Sequence, residues 1–131
     1  MTPGRAPTSR REAGQASVEL ALLLPLVVLL LLAVLQAGLV AKDVVLVTHA
    51  AREAARAAAT DPHPDAPRRA AEASGGLRPD RLSLTTRGRG AAGTRVTVSV
   101  TYRIPTVVPL AGALVNDLVL TRSVTMRVED G

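Results

Sequence analysis

The stretch GQASVELALLLPLVVLLLLAVLQAGLVAK, residues 14–42, decides the fold of this chain. Between Glu19 and Lys42 lie 22 consecutive positions, 20–41, without a charged residue. About 20 apolar residues, each rising 1.5 Å, are enough to span the hydrocarbon core of a bilayer. A removable secretory signal has an apolar region of only about 7–15 residues. We therefore expect a retained membrane-spanning helix.

The charges on either side of this segment predict its orientation. Arg5, Arg10 and Arg11 precede it, whereas Lys42 and Asp43 directly after it cancel. Because positive flanking charge stays in the cytoplasm, we expect a single-pass protein of the cytoplasmic membrane. Its N-terminus would be cytoplasmic and its C-terminal part extracytoplasmic.

The remaining composition argues against several classes of function. The formal net charge is +5, with fifteen arginines and one lysine, but the arginines are dispersed and Tyr102 is the only aromatic residue. We therefore expect a solvated basic surface and no nucleic-acid partner. There is no cysteine, and His49 and His63 are isolated, so no metal site is expected. Ser17 has no base near it in sequence, and we expect no catalysis, cofactor or small-molecule substrate.

Changes of composition divide the chain into four parts. We predict a long helix from about Ala16 to residue 59, and a short helix over RRAAEAS, residues 68–74. Prolines and glycines punctuate the region between and after them. The predicted parts are a basic, disordered leader (1–14), the transmembrane helix with its outward stem (15–60), a proline-rich linker with the short helix (61–80) and a β-rich extracytoplasmic part (81–131).

In the last part the hydrophobic period changes from helical to alternating. Residues 81–87, 94–104 and 117–129 alternate apolar and polar side chains, which predicts three strands. We predict a bent apolar connection with a short helical turn over residues 105–115. Arg122 interrupts the apolar face of the third strand, so we expect it near an edge of the sheet or an unpaired strand end. The fold class is an α+β membrane protein with a small three-stranded antiparallel sheet, covered by the short helix or by the alanine-rich stem.

Glu19 is the residue that an anchoring function does not explain. A charge within an apolar segment is costly and is by default a functional hypothesis. Five residues earlier stands Gly14, an unhindered residue at the end of the basic leader. Cleavage after Gly14 would give Gln15 a new amino group, which could pair with the Glu19 carboxylate of a neighbouring subunit. On spacing alone, an interfacial acid on a plain signal anchor remains the alternative.

This arrangement of leader, glycine, acid and apolar helix resembles the type IV prepilin processing motif. Residues 14–39, followed by HAAREAARAAA (49–59), resemble TadE-like pseudopilins of tight-adherence pilus systems, especially the actinobacterial members. The resemblance implies cleavage of the Gly14–Gln15 bond by a prepilin peptidase and an assembly role for Glu19. It also implies other pilin-like subunits and the pilus machinery as partners, and it allows later incorporation of the chain into a surface pilus. Leu20 stands where major pilins often have tyrosine, which favours a minor subunit.

Two further features of the helix leave alternatives open. Pro25 removes a backbone donor, so it could kink the helix, or it could be a proline that membrane helices tolerate without function. Ala33, Ala37 and Ala41, and again Ala50, Ala54 and Ala58, repeat every four residues. Such spacing permits close helix contacts, although alanine is abundant throughout the chain. The competing function is an unprocessed, single-pass membrane-anchored extracytoplasmic binding module.

Overall fold

A computed structural model describes residues 9–104 and 118–129, with side chains described from residue 14 onward. It confirms the predicted α+β class. The chain divides into two compact units, Met1–Leu35 and Gln36–Gly131. The elements in chain order are α1 (Ser9–Thr60), α2 (Ala66–Ala73), a single 3-10 turn (Pro79–Arg81), β1 (Leu82–Arg87), β2 (Arg95–Ile104) and β3 (Leu118–Arg127).

Helix α1 begins earlier than the sequence pattern predicted. The expected start was about Ala16 after a disordered leader, but the helix already includes Ser9 and continues to Thr60. The prediction of disorder was therefore wrong for residues 9–14, while residues 1–8 lie outside the described part. Residues 10–13, RREA, are good helix formers, and a serine three residues before a glutamate is a common helix-start pattern. The apolar pattern alone could not reveal this polar first part.

The described part of the first unit is a helix with an exposed apolar surface. The large apolar side chains from Val18 to Leu35 are between 45% and 74% exposed, except for the half-buried Leu32. The most apolar 18-residue window of the helix has a mean hydropathy of 3.0, and none of it is buried. Among the described residues, this is the one helix long and apolar enough to cross a membrane. These properties indicate a single-pass membrane protein.

The second unit contains the three-stranded sheet, in which β2 is central and pairs antiparallel with both neighbours. Leu84 lies opposite Val100, and Val98 lies opposite Val124. Strand β3 is an edge of the sheet, as the interrupting Arg122 predicted. The predicted connection over residues 105–115 lies outside the described residues. The strand pattern thus places one apolar face of the sheet toward a core.

The core is formed between this apolar face and the outer half of α1. Alternate residues of β2 are at most 4% exposed: Val96, Val98, Val100, Tyr102 and Ile104. The helix contributes residues at the i, i+3, i+4 spacing of one helical face: Val47, Ala50, Ala51, Ala54, Ala55, Ala58 and Ala59. Ala71 of α2 joins the same cluster. Both of the predicted covers therefore contribute, and the stem contributes most.

This packing gives the second alanine repeat, Ala50, Ala54 and Ala58, a place in the core. Ala50, Ala54 and Ala58 are at most 3% exposed and pack within their own chain. The small side chains of this set let the helix approach its own sheet. Ala33, Ala37 and Ala41 are exposed. Of the two repeats, only this first one is exposed within the described chain.

Candidate functional site

The predicted cleavage site lies inside α1. Gly14 and Gln15 are exposed, and a Cβ placed on Gly14 would meet no atom within 4 Å. In an α-helix the carbonyl of residue 14 accepts the N–H of residue 18, so the Gly14–Gln15 bond is held by helical hydrogen bonds. Glycine within a helix is about 1 kcal/mol less favourable than alanine. A protease could therefore open the helix at this position more easily than at its neighbours.

Glu19 lies on the same side of the helix as Gln15. The two residues are four apart, which places them on adjacent turns about 6 Å apart along the axis. Glu19 is exposed among apolar side chains such as Val18 and Leu20, which are 59% and 66% exposed. No ion pair joins Glu19 to any side chain among residues 14–104 and 118–129. Its carboxylate is therefore available to a group from outside the described chain.

Pro25 lies six residues beyond Glu19, within the continuous helix. The helix does not end there, although proline cannot donate to the carbonyl of Ala21. One unsatisfied carbonyl in the apolar segment would be a local weak point of the helix. Its kinking or loosening role stays a prediction.

Arg89 is a structural residue that no sequence pattern indicated, and it hydrogen-bonds to the segment directly after α1. This half-buried side chain lies in the β1–β2 loop and donates from Nη1 to the carbonyl of His63 at 2.9 Å. Its Nη2 donates to the carbonyl of Asp61. The Asp61 carboxylate also lies 3.9 Å from Arg69 of α2. Arg89 thus ties the hairpin loop to the segment that leaves α1.

The two histidines lie on different elements of the structure. The backbone N–H of His63 donates to Oδ1 of Asp61 at 2.9 Å, and its Nδ1 accepts the N–H of Asp65 at 3.3 Å. His49 is exposed on α1. Among the described residues, no group of three histidine, cysteine or acidic residues could hold a metal ion. Asp61, His63 and Asp65 form a turn after α1.

Comparison with known proteins identifies the region that carries the site. Residues 14–56 match the family model described as TadE-like protein, which is 43 of the 131 residues. This confirms the resemblance over the apolar helix and most of its stem, and the matched region begins at Gly14 itself. No curated protein and no solved structure matches the chain. The match supports a pilin-like protein associated with tight-adherence pili.

Proposed function

We propose that this chain is a minor pilin-like subunit in the assembly of a tight-adherence, type IV-like pilus or secretion system, and that it is cleaved after Gly14 by a prepilin peptidase. The observation that carries the proposal is the Gly14-to-Glu19 spacing at the start of an exposed apolar helix that matches the TadE-like model. The role is structural and non-catalytic. The partners are the peptidase, other pilin-like subunits and the assembly machinery.

In this proposal the chain inserts in the cytoplasmic membrane with residues 1–14 in the cytoplasm and the unit Gln36–Gly131 outside. Cleavage leaves the amino group of Gln15 at membrane depth, and the Glu19 carboxylate of one subunit pairs with the amino group of the next. The lack of an ion-pair partner for Glu19 within the described chain supports a partner in another subunit. A charge that persists near lipid needs such a partner.

The first test is the intact mass of the membrane-extracted protein, with and without a co-expressed prepilin peptidase from the same source. We expect a peptidase-dependent loss of residues 1–14. Gly14→Val should block cleavage, and Gly38→Val is its matched control. Both glycines lie in α1, and at both positions an added Cβ has no atom within 4 Å. An uncut wild-type chain beside active peptidase would favour the membrane-anchored binding module instead.

The second test separates membrane insertion from assembly. Glu19→Ala should leave the protein in the membrane but reduce piliation, since the substitution removes only the carboxylate from an exposed helix position. Val18→Ala, at the neighbouring exposed position, should leave both unchanged. The measurements are membrane fractionation and a count of surface pili. Normal piliation with Glu19→Ala would refute the assembly role of the acid.

A further inference from the structure

Short hydroxyl side chains make up most of the outer face of the sheet, which points away from the core. The strand register places eight of them on this side, which we call the hydroxyl face: Ser83, Thr85, Thr97, Ser99, Thr101, Thr121, Ser123 and Thr125. In the described chain only Val119 gives this face an apolar side chain. The long side chains of this face are arginines near the strand ends, and its middle is flat and rich in hydroxyl groups.

The hydroxyl groups are ordered by one another across β2 and β3. Three cross-strand pairs are hydrogen-bonded at 2.8–3.1 Å: Thr97 with Thr125, Ser99 with Ser123, and Thr101 with Thr121. Each such pair uses one of its two protons, so it still offers one donor and several acceptor positions. Strands lie about 4.8 Å apart, and alternate residues repeat about every 6.7 Å along a strand. The face is therefore a regular grid of donors and acceptors.

Positive charge is concentrated at one end of this face. The three strands together contain five arginines and no acidic residue. Arg95 lies directly opposite Arg127, and Arg87 lies beside them at the end of β1. All three are exposed, and none takes part in the ion pairs found among the described residues. We call this group the arginine end.

Placing Arg95 against Arg127 is unfavourable, because like charges directly opposite each other destabilise a sheet. Arg127 donates from Nε to the carbonyl of Gly93 at 3.1 Å, which leaves its charge unneutralised. An anion between the guanidinium groups would relieve the repulsion and accept their remaining N–H donors. The arrangement therefore favours a ligand that carries an anionic group.

We propose that the hydroxyl face and the arginine end together form a binding site for an acidic polysaccharide. A chain of sugar units presents hydroxyl groups along its whole length, which match the donor and acceptor grid, and its acidic groups match the arginine end. Duplex DNA presents phosphates continuously, and a face suited to it would carry cations along its length. Here, apart from Arg103 at the far end, the charges stand at one end. This site does not depend on the proposed role in pilus assembly.

The test uses the full chain in detergent micelles and fluorescently labelled oligogalacturonate, with binding followed by anisotropy. Arg95→Gln with Arg127→Gln should weaken binding about tenfold, because charge-assisted hydrogen bonds are lost. Arg68→Gln with Arg78→Gln is the matched control, since it removes the same charge from exposed sites outside the sheet. That control should bind as the wild type does.

A second variant tests the hydroxyl groups without removing charge. Thr101→Val with Thr121→Val replaces both members of a hydrogen-bonded pair by groups of the same shape, which is nearly neutral for folding. We expect it to weaken binding about fivefold, with the folded state checked by the fluorescence of Tyr102.

Four outcomes would overturn the proposal. They are no measurable binding of the oligomer, equal losses in the two arginine variants, unchanged binding in the threonine variant, and binding of duplex DNA as tight as that of the oligomer. Uncharged dextran should bind more weakly than oligogalacturonate, and equal binding would likewise refute the role of the arginine end. None of these results bears on cleavage at Gly14 or on piliation.

Discussion

The packing of the alanine-rich stem leads to a quantitative prediction for Ala54→Leu. Ala54 is 0% exposed between the helix and the sheet, so the three added carbon atoms have no free space to enter. Extra methylene groups in a well-packed core cost about 1–3 kcal/mol. A small core of this kind supplies only about 3–5 kcal/mol of stability. The substitution should therefore remove a large part of the stability of the unit Gln36–Gly131.

The assay can follow this unit selectively, because Tyr102 is the only aromatic residue of the chain and is 4% exposed in the core. Its fluorescence, recorded on heating the full chain in micelles, reports unfolding of the sheet with no signal from the membrane helix. A loss of about 1 kcal/mol lowers the melting temperature of a small domain by about 4–8 °C. We expect a decrease of about 5–20 °C for Ala54→Leu.

Ala37→Leu is the matched control, because Ala37 lies on the same helix but is exposed. It should leave the Tyr102 transition within about 2 °C of the wild type. Unchanged melting of Ala54→Leu, or an equal decrease in both variants, would refute the conclusion that the buried alanines of α1 pack in the core of the unit.

Two further substitutions test the β1–β2 loop and can be read in the same melting assay. Gly88 has φ +76°, and an added Cβ would lie 2.5 Å from the carbonyl oxygen of Arg95, so Gly88→Ala should cost at least about 2 kcal/mol. Gly93→Ala, at φ +83° with no atom within 4 Å, should cost only about 1 kcal/mol, and equal effects would exclude the steric contribution. Arg89→Met removes both hydrogen bonds to the segment after α1 and should cost about 1 kcal/mol. Exposed Arg103→Met should change stability by less than about 0.5 kcal/mol. A loss matching that of Arg89→Met would argue against a specific contribution of the two Arg89 hydrogen bonds.

Much of the fold could be predicted because hydrophobic periodicity reports which side chains are buried. The alternation through Val96, Val98 and Val100 predicted the buried face of β2, and the uncharged run after Glu19 predicted the apolar helix. The TadE-like match over residues 14–56 supports the same region as the functional one. Local pattern and local chemistry were sufficient in these places.

The remaining features depend on contacts between distant residues or on signals weaker than apolar periodicity. Arg89 contacts carbonyl groups 26 and 28 residues away, and no sequence pattern predicts such a contact. The hydroxyl face follows from the register of β3 against β2, which places Ser99 opposite Ser123. Alternating polar positions alone show that a face is solvated, but not which hydroxyl groups meet. The helical state of residues 9–14 rests on propensity, which periodicity does not measure.

The continuity of α1 through Gly14 gives the proposed cleavage an electrostatic consequence. In the intact helix, the backbone N–H groups after Gly14 are satisfied by carbonyl groups on its N-terminal side. Removal of residues 1–14 would turn a position in the second turn of this helix into a terminus with unsatisfied N–H groups and the positive end of a helix dipole. The new amino group would add a full positive charge at the same place. A single proteolytic cut would therefore move the positive helix terminus from Ser9 to Gln15, four residues from Glu19.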